Sequence, residues 1–229
     1  AMMMTSAATD FTSVSFAGTR VIGIKGDGGA SADLIGLVGD GDDNAFTVVG
    51  SGALAGTASV DGGPSVRVSG LGSTGSQLSL TGNGGDDDFS ISPIEGVTVL
   101  AYGGDPTASD SVVINGTPGN DAIQFTPSSA SNGSVVVNAA APVILVGIEH
   151  LTASGVAGSD VLTVETPAGI NRLTYTPQSL DVADISIDGL LGVTYVAPGT
   201  GSSIVLADVN GGQTDRLAFN GTGQDDVMD

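Results

Sequence analysis

The chain has 229 residues, enough to bury a sizeable core, but 37 of them are glycine, none is tryptophan and only nine are Phe or Tyr, so Val, Ile, Leu and Ala must supply that core. Acids outnumber bases 25 to five, for a net charge of −20, and a field of that sign repels nucleic acid and anionic membrane and attracts cations. The absence of cysteine excludes disulfides and thiolate metal sites, and no apolar run is long enough to cross a bilayer.

All the acids except Glu95, Glu149 and Glu165 are aspartates. Asp is short enough to bond its own backbone in a turn or to sit inside a tight metal loop, so these read as turn acids rather than helix acids.

In chain order, the opening AMMMTS lacks the features of a signal peptide, and its Ala-Met reads as a cloning remnant. The alternating run IGLV at Ile35 leads into GDGDDNAFTV at Gly39. LSLT at Leu78 leads into GNGGDDDFSI at Gly82, VVIN at Val112 into GTPGNDAIQF at Gly116, LTAS at Leu151 into GVAGSDVLTV at Gly155, and LAFN at Leu217 into GTGQDDVMD at Gly221. The chain stops inside this last copy, which points to a longer parent protein.

Each copy has the same plan: a glycine, a Gly/polar turn, an acid or amide five places on, then apolar residues at alternate positions. The equivalent residues are Asn44, Asp87, Asp121, Asp160 and Asp226. Alternation at period two marks half-buried strands and Gly clusters punctuate them, so the unit is strand, Gly-Asp turn, strand.

Sustained helical periodicity is absent, apart from a short turn near Pro177 to Asp184. The fold expected is all-β, a repeat-built parallel β-solenoid in which each coil buries its face against its neighbours. The alternative is tandem antiparallel β-sandwich modules. Residues 1–16 form a lead-in, 17–121 a first repeat region and 122–229 a second.

A longer alignment overlays Asp87 to Gly116 on Asp160 to Gly189, pairing Tyr102 with Tyr175, and Val112 and Ile114 with Ile185 and Ile187. It predicts one structural module used twice. Weaker echoes link VDGGPSVRVSG at Val60, AYGGDPTASDSVVING at Ala101 and VNGGQTDRLAFNG at Val209.

The turn GTPGNDAI resembles the hemolysin-type calcium-binding repeat of bacterial secreted RTX proteins, with its pattern Gly-Gly-x-Gly-x-Asp-x-U-x in which U is apolar. That resemblance implies turns stacked into a parallel β-roll, with calcium held by Asp carboxylates and turn carbonyls. Matched position by position, it implies ligands at Asp87, Asp121, Asp160 and Asp226 and turn glycines at Gly85, Gly119 and Gly158. Asn44 stands in for Asp in the first copy, and Gln224 replaces a glycine in the last. Only Asp110 with Asp121, and Asp215 with Asp226, approach the tandem spacing of the family. The match covers a minor part of the chain and is closest to the degenerate repeats of very large bacterial surface and exported proteins.

The richest oxygen clusters are GDGDD, with Asp42, Asp43 and Asn44, and GGDDD, with Asp86 and Asp87. Hard cations favour several oxygens from a flexible loop. The competing reading of each turn is that Gly supplies positive φ and Asp caps the backbone, with no ion.

Other motifs carry less. GDGG at Gly26 and GNGG at Gly82 lack the Lys-Ser/Thr of a phosphate loop and have acidic neighbours. His150 has no second His or Cys with which to bind zinc, and no Gly-x-Ser-x-Gly elbow accompanies it. A carbohydrate-active β-helix, a polysaccharide lyase or hydrolase, is the enzyme alternative. Against it, adjacent acids on a strand point to opposite faces, so Asp86, Asp87 and Asp88 cannot converge without a bulge. The acid-labile Asp105-Pro106 bond reads as a turn.

Together these features predict a non-enzymatic structural or adhesive segment of a large bacterial surface or secreted protein. It would be extracellular or on the cell surface, acidic, stabilised by calcium, and partnered by neighbouring copies or modules or by carbohydrate.

Overall fold

The computed structural model describes residues 2–5, 21–25, 32–72, 75–105, 109–197, 199–208 and 214–221. Every regular element among them is a strand. In chain order these are β1 (Met2–Thr5), β2 (Val21–Lys25), β3 (Leu34–Val38), β4 (Ala45–Gly52), β5 (Ala55–Val60), β6 (Ser65–Ser69), β7 (Gln77–Asn83), β8 (Asp88–Ser92), β9 (Thr98–Gly104) and β10 (Ser111–Asn115). They continue as β11 (Ala122–Pro127), β12 (Asn132–Val137), β13 (Val143–Val146), β14 (His150–Ser154), β15 (Val161–Thr166), β16 (Arg172–Pro177), β17 (Val182–Ile187), β18 (Leu190–Val196), β19 (Ser203–Asp208) and β20 (Arg216–Phe219).

The strands form two sheets, one of twelve in the order β1-β2-β6-β5-β4-β8-β10-β14-β18-β17-β16-β20 and one of eight in the order β19-β15-β11-β12-β13-β9-β7-β3. The chain passes back and forth between them, and successive visits pair in parallel: β4 with β8, β8 with β10, β10 with β14, and on the other side β3 with β7 and β11 with β15. This is the all-β solenoid expected from the repeats, with two strands per basic coil.

Alternation sets the core. In β8 the side chains of Phe89 and Ile91 point inward while Asp88 and Ser90 face water, and in β7 Leu78 and Leu80 are inward. Register keeps like with like, so that Phe89 sits beside Val112 and Val112 beside Leu151, and aliphatic columns run along the axis. Phe46 and Phe89 stack with ring centroids 4.8 Å apart and planes 9° from parallel. One apolar cluster runs from Leu37 to Ala197 without a break at residue 121.

Three coils contain an antiparallel meander: β4-β5-β6, β11-β12-β13 and β16-β17-β18. These inserts explain the uneven repeat spacing. The shortest coil, Asp87 to Asp110, takes 23 residues, whereas Asn44 to Asp87 and Asp121 to Asp160 take 43 and 39.

The meanders also correct the longer alignment. Tyr102 lies in β9, between parallel neighbours, but Tyr175 lies in β16, antiparallel to β17. Val112 and Ile114 are in a parallel coil strand, whereas Ile185 and Ile187 are in the return strand of a meander. The true counterpart of Tyr175 is Phe125. FTPSS and YTPQS close identical hairpins, with Ser128 N–H donating to Asn132 O at 2.9 Å and Gln178 N–H to Val182 O at 2.8 Å. The residues from Pro177 to Asp184, read as a short helical turn, are this hairpin and the start of β17.

Phe89 fills the axis between Phe46 and Val112 at 1 % exposure. Phe89→Ala is expected to lower unfolding free energy by about 3–5 kcal/mol, because the rigid columns around it cannot collapse into the space; equilibrium denaturation in urea measures it.

Candidate functional site

A strand in a parallel sheet leaves the residue before it with an N–H that no ladder partner meets. In this chain the side chain at that position in the following coil meets it. Where the chain passes from the eight-stranded to the twelve-stranded sheet (the first turn edge), Asn44 N–H donates to Asp87 Oδ1 at 2.8 Å, Asp87 N–H to Asp110 Oδ1 at 2.8 Å and Asp110 N–H to Glu149 Oε2 at 3.0 Å. Further along this edge Asn171 N–H donates to Asp215 Oδ1 at 2.9 Å.

The second turn edge, where the chain passes back, repeats the arrangement. Asp33 N–H donates to Ser76 Oγ at 3.0 Å, Asp121 N–H to Asp160 Oδ1 at 2.9 Å and Asp160 N–H to Ser202 Oγ at 3.0 Å. The next N–H in the following coil then donates back to the rung carbonyl: Asp88 to Asn44 O, Ser111 to Asp87 O, Val161 to Asp121 O and Ser203 to Asp160 O, each at 2.8 Å.

An outer row runs the other way. Asp86 N–H donates to Asp43 Oδ1 at 2.8 Å and Ser109 N–H to Asp86 Oδ1 at 2.9 Å, while on the second edge Ser159 N–H donates to Asn120 Oδ1 at 2.9 Å. The doubled polar residues of each motif, Asp43-Asn44, Asp86-Asp87, Asn120-Asp121 and Ser159-Asp160, are thus one inward rung and one outward rung bonded in opposite directions. Asp87 is fully buried between exposed Asp86 and Asp88, so the acidic triplet does not converge.

The predicted site residues therefore divide. Asn44, Asp87 and Asp110 share one stack, Asp121 and Asp160 another, Asp215 pairs with Asn171, and Asp42, Asp43 and Asp86 are exposed. Asp110 and Asp121, close in sequence, begin consecutive strands on opposite edges, so they are not tandem partners. Asp226 and Pro106 lie outside the described residues. Sequence reading missed Asp33, Ser76, Glu149, Asn171 and Ser202 as rungs. Their signal is position, one residue before a strand, whatever the oxygen-bearing side chain.

The motif glycine has a steric cause. A Cβ on Gly82 would lie 2.0 Å from Asp87 Oδ2, and one on Gly155 2.0 Å from Asp160 Oδ2. These two carboxylates thus lie over a glycine five residues earlier, and Asp110 lies over Gly103, seven residues earlier, where a Cβ would be 2.1 Å from its Oδ2; only hydrogen leaves room.

Where a rung meets a meander, a second side chain closes it, with amide and acid complementary. Asn44 Nδ2 donates to Asp61 Oδ2 at 3.0 Å and Asp61 Oδ1 accepts from Ala45 N–H at 2.7 Å. In the second meander the types are exchanged: Asn138 Nδ2 donates to Asp121 Oδ1 at 2.5 Å and Asn138 Oδ1 accepts from Ala122 N–H at 2.9 Å. Asp61 and Asn138 both hold positive φ, 52° and 54°.

The inner rungs do not fit calcium. That ion needs six to eight oxygens at about 2.3–2.6 Å, but Oδ1 of Asp87, Asp110 and Asp160 is filled by a backbone N–H, while Oδ2 is buried against a glycine, Gly82, Gly103 or Gly155. Asp121 is filled by Thr117 and Asn138. Among the described residues no three His, Asp or Glu side chains come together as a ligand set. What the exposed row offers is charge: Asp40, Asp42, Asp43, Asp61, Asp86, Asp88 and Asp105 all face water on the first edge, against neutral Thr117, Asn120 and Ser159 on the second.

Burial shapes the titration. The Asp87 carboxyl is pushed up to about 6, mainly by desolvation and further by Asp110, Asp43 and Asp61, against the pull of the Asn44 N–H. Asp110 is raised by burial and by Glu149, Asp86 and Asp105. Asp40 and Asp215 are lowered by the N–H groups of Asp42 and Asn171. His150, exposed at the start of β14, has Nε2 2.9 Å from Ser109 Oγ.

No protein-family model matches the chain, and neither a curated protein nor a solved structure matches it significantly.

Two outcomes are expected. Asn44→Asp sets a carboxylate against Asp61 and should destabilise, while adding Asp61→Asn recreates the Asp121–Asn138 arrangement and should recover part of the loss; a double-mutant cycle should give a coupling of about 0.5–3 kcal/mol. The second concerns pH. An acid whose folded pKa lies above its ordinary 3.8 favours the fold while protonated, and that contribution is complete below about pH 4 and lost as pH rises through about 6. Melting temperature should fall between pH 4 and 7 by less in Asp87→Asn than in the parent, since the amide keeps the acceptor and removes the charge.

Proposed function

We propose that the chain is a structural or adhesive segment of a large bacterial surface or secreted protein, an acidic β-solenoid stalk. The observation that carries this reading is the use made of the polar side chains. The side chains of Asp43, Asp86, Asp87, Asp110, Asp160 and Asp215, whose types suggested a site, are bonded to the backbone of a neighbouring coil, which builds length, instead of converging on one point, which would build a catalytic centre. Repeat architectures of this kind hold together through neighbouring units and extend by adding more.

Calcium belongs to this proposal at the exposed acids of the first edge, around Asp42, Asp43 and Asp86, and not at the inner rungs. The support is the row of exposed carboxylates there, Asp40, Asp42, Asp43, Asp61, Asp86 and Asp88, in a chain with only five bases, while the ion pair of Arg172 with Asp188 at 4.0 Å is exposed and elsewhere. Bound cations would relieve that repulsion only in the folded state. The resemblance of the turns to hemolysin-type repeats, a bacterial origin and an extracellular location are part of the same reading.

The experiment is a thermal melt in chelator, in millimolar calcium and in sodium chloride of matched ionic strength. With calcium at ten times Kd a site adds about 1.4 kcal/mol, so calcium should raise the melting temperature beyond what sodium achieves by screening. Asp43→Ser with Asp86→Ser should remove most of that excess. Equal melting temperatures in calcium and in matched sodium would sink the calcium reading and leave the stalk intact.

A further inference from the structure

β19 ends the eight-stranded sheet and β20 ends the twelve-stranded sheet, with no strand beyond either among the described residues. Between β19 and the strands β16, β17 and β20 lies an open cavity of about 650 Å³ whose lining includes Tyr175, Ala183, Ile204, Leu206, Leu217 and Phe219. These are positions that the columns of the core would fill, since Leu217 and Phe219 are in register with Leu173 and Tyr175. Yet Leu217 and Phe219 remain 45 % and 56 % exposed, and the Phe219 ring meets Tyr175 edge-on, at 5.9 Å and 63°.

We infer that this slot accepts one further β-strand of polypeptide, parallel to β19, that begins with Asp or Asn and carries apolar side chains two and four residues later. The ladder of the second edge specifies that chemistry. It runs from Asp121 to Asp160 to Ser202, each residue presenting its N–H to an oxygen of the next coil and its carbonyl to the N–H that follows. Continued by one step, the incoming Asp or Asn accepts from Ser202 N–H, the next residue donates to Ser202 O, and the two apolar side chains extend the columns that Leu162 with Ile204 and Val164 with Leu206 have begun. Main-chain bonds to the outer edge of β19, which no strand among the described residues covers, supply affinity and the alternate pockets supply selectivity, as in strand addition generally. The slot is thus a joint through which solenoid segments lengthen end to end, and it holds whether or not calcium binds at the first edge.

The probe is a fluorescein-labelled peptide of residues 116–127, GTPGNDAIQFTP, which carries the rung Asp121 and the inward residues Ile123 and Phe125. It is titrated with the intact chain and followed by anisotropy. Saturable binding is expected. A peptide with Asp121→Ala, and another with Ile123→Asp and Phe125→Asp, should each bind at least roughly tenfold more weakly; these changes leave the protein's own fold untouched. Phe219→Asp in the protein should weaken the parent peptide similarly. Absence of binding at about 1 mM, or equal binding of a shuffled peptide of the same composition, would overturn the inference.

Discussion

Every strand start in a parallel solenoid raises the same problem, because the backbone N–H just before the ladder begins is buried at a turn where no neighbouring carbonyl is in line with it. An unpaired buried N–H costs about 1–3 kcal/mol, and here the cost would recur at every coil. The oxygen of an Asp, Ser or Glu one coil ahead removes it, from Asn44 to Asp87 to Asp110 to Glu149 on one edge and from Asp121 to Asp160 to Ser202 on the other. Much else follows from that bond: the glycine beneath each carboxylate, the doubling of polar residues in each motif, and the fixed register of the strands.

The arrangement also places charge where it is costly. Asp87, Asp110 and Asp160 are fully buried, each with one oxygen lacking a hydrogen-bond partner, and acids of the same sign surround Asp87 and Asp110. Ser76 and Ser202 show that a neutral side chain can serve as a rung, and Asn44 places a neutral side chain where Asp61 and Asp40 already crowd the turn. The amide–acid exchange between Asn44–Asp61 and Asp121–Asn138 has the same logic: one donor-bearing and one acceptor-only side chain fit each junction, in either order.

The three meanders lengthen individual coils without disturbing this frame. Each stays within its sheet and returns through antiparallel partners to the parallel ladder, as β6 does beside β2, β13 beside β9 and β18 beside β14. The middle strands add Ala58, Val135 and Ile185 to the core, so the added strands extend the inward columns while neighbouring coils keep their shared rungs. The cavity beside β19 is the same frame seen at its last described coil, where the columns have neighbours on one side only.

The sequence by itself determined the elements. Period-two alternation marks strands wherever one face is buried, and Gly followed five residues later by Asp or Asn marks the turns, because both are local consequences of backbone geometry; on these grounds the all-β solenoid and rungs such as Asp87, Asp121 and Asp160 were legible. Which edge a turn occupies was not, since the turns at Gly82 and Gly155 read alike yet lead to different sheets. Nor was the partner of Tyr175, because any two alternating strands align as well as Tyr102 and Tyr175 do, and only strand pairing separates a parallel coil strand from a meander. The fate of the turn oxygens was likewise a tertiary matter: Asp121 caps its own turn at Thr117, whereas Asp87 and Asp110 accept an N–H from a coil 43 and 23 residues away, and no local pattern encodes which distant backbone group will be brought within hydrogen-bonding reach.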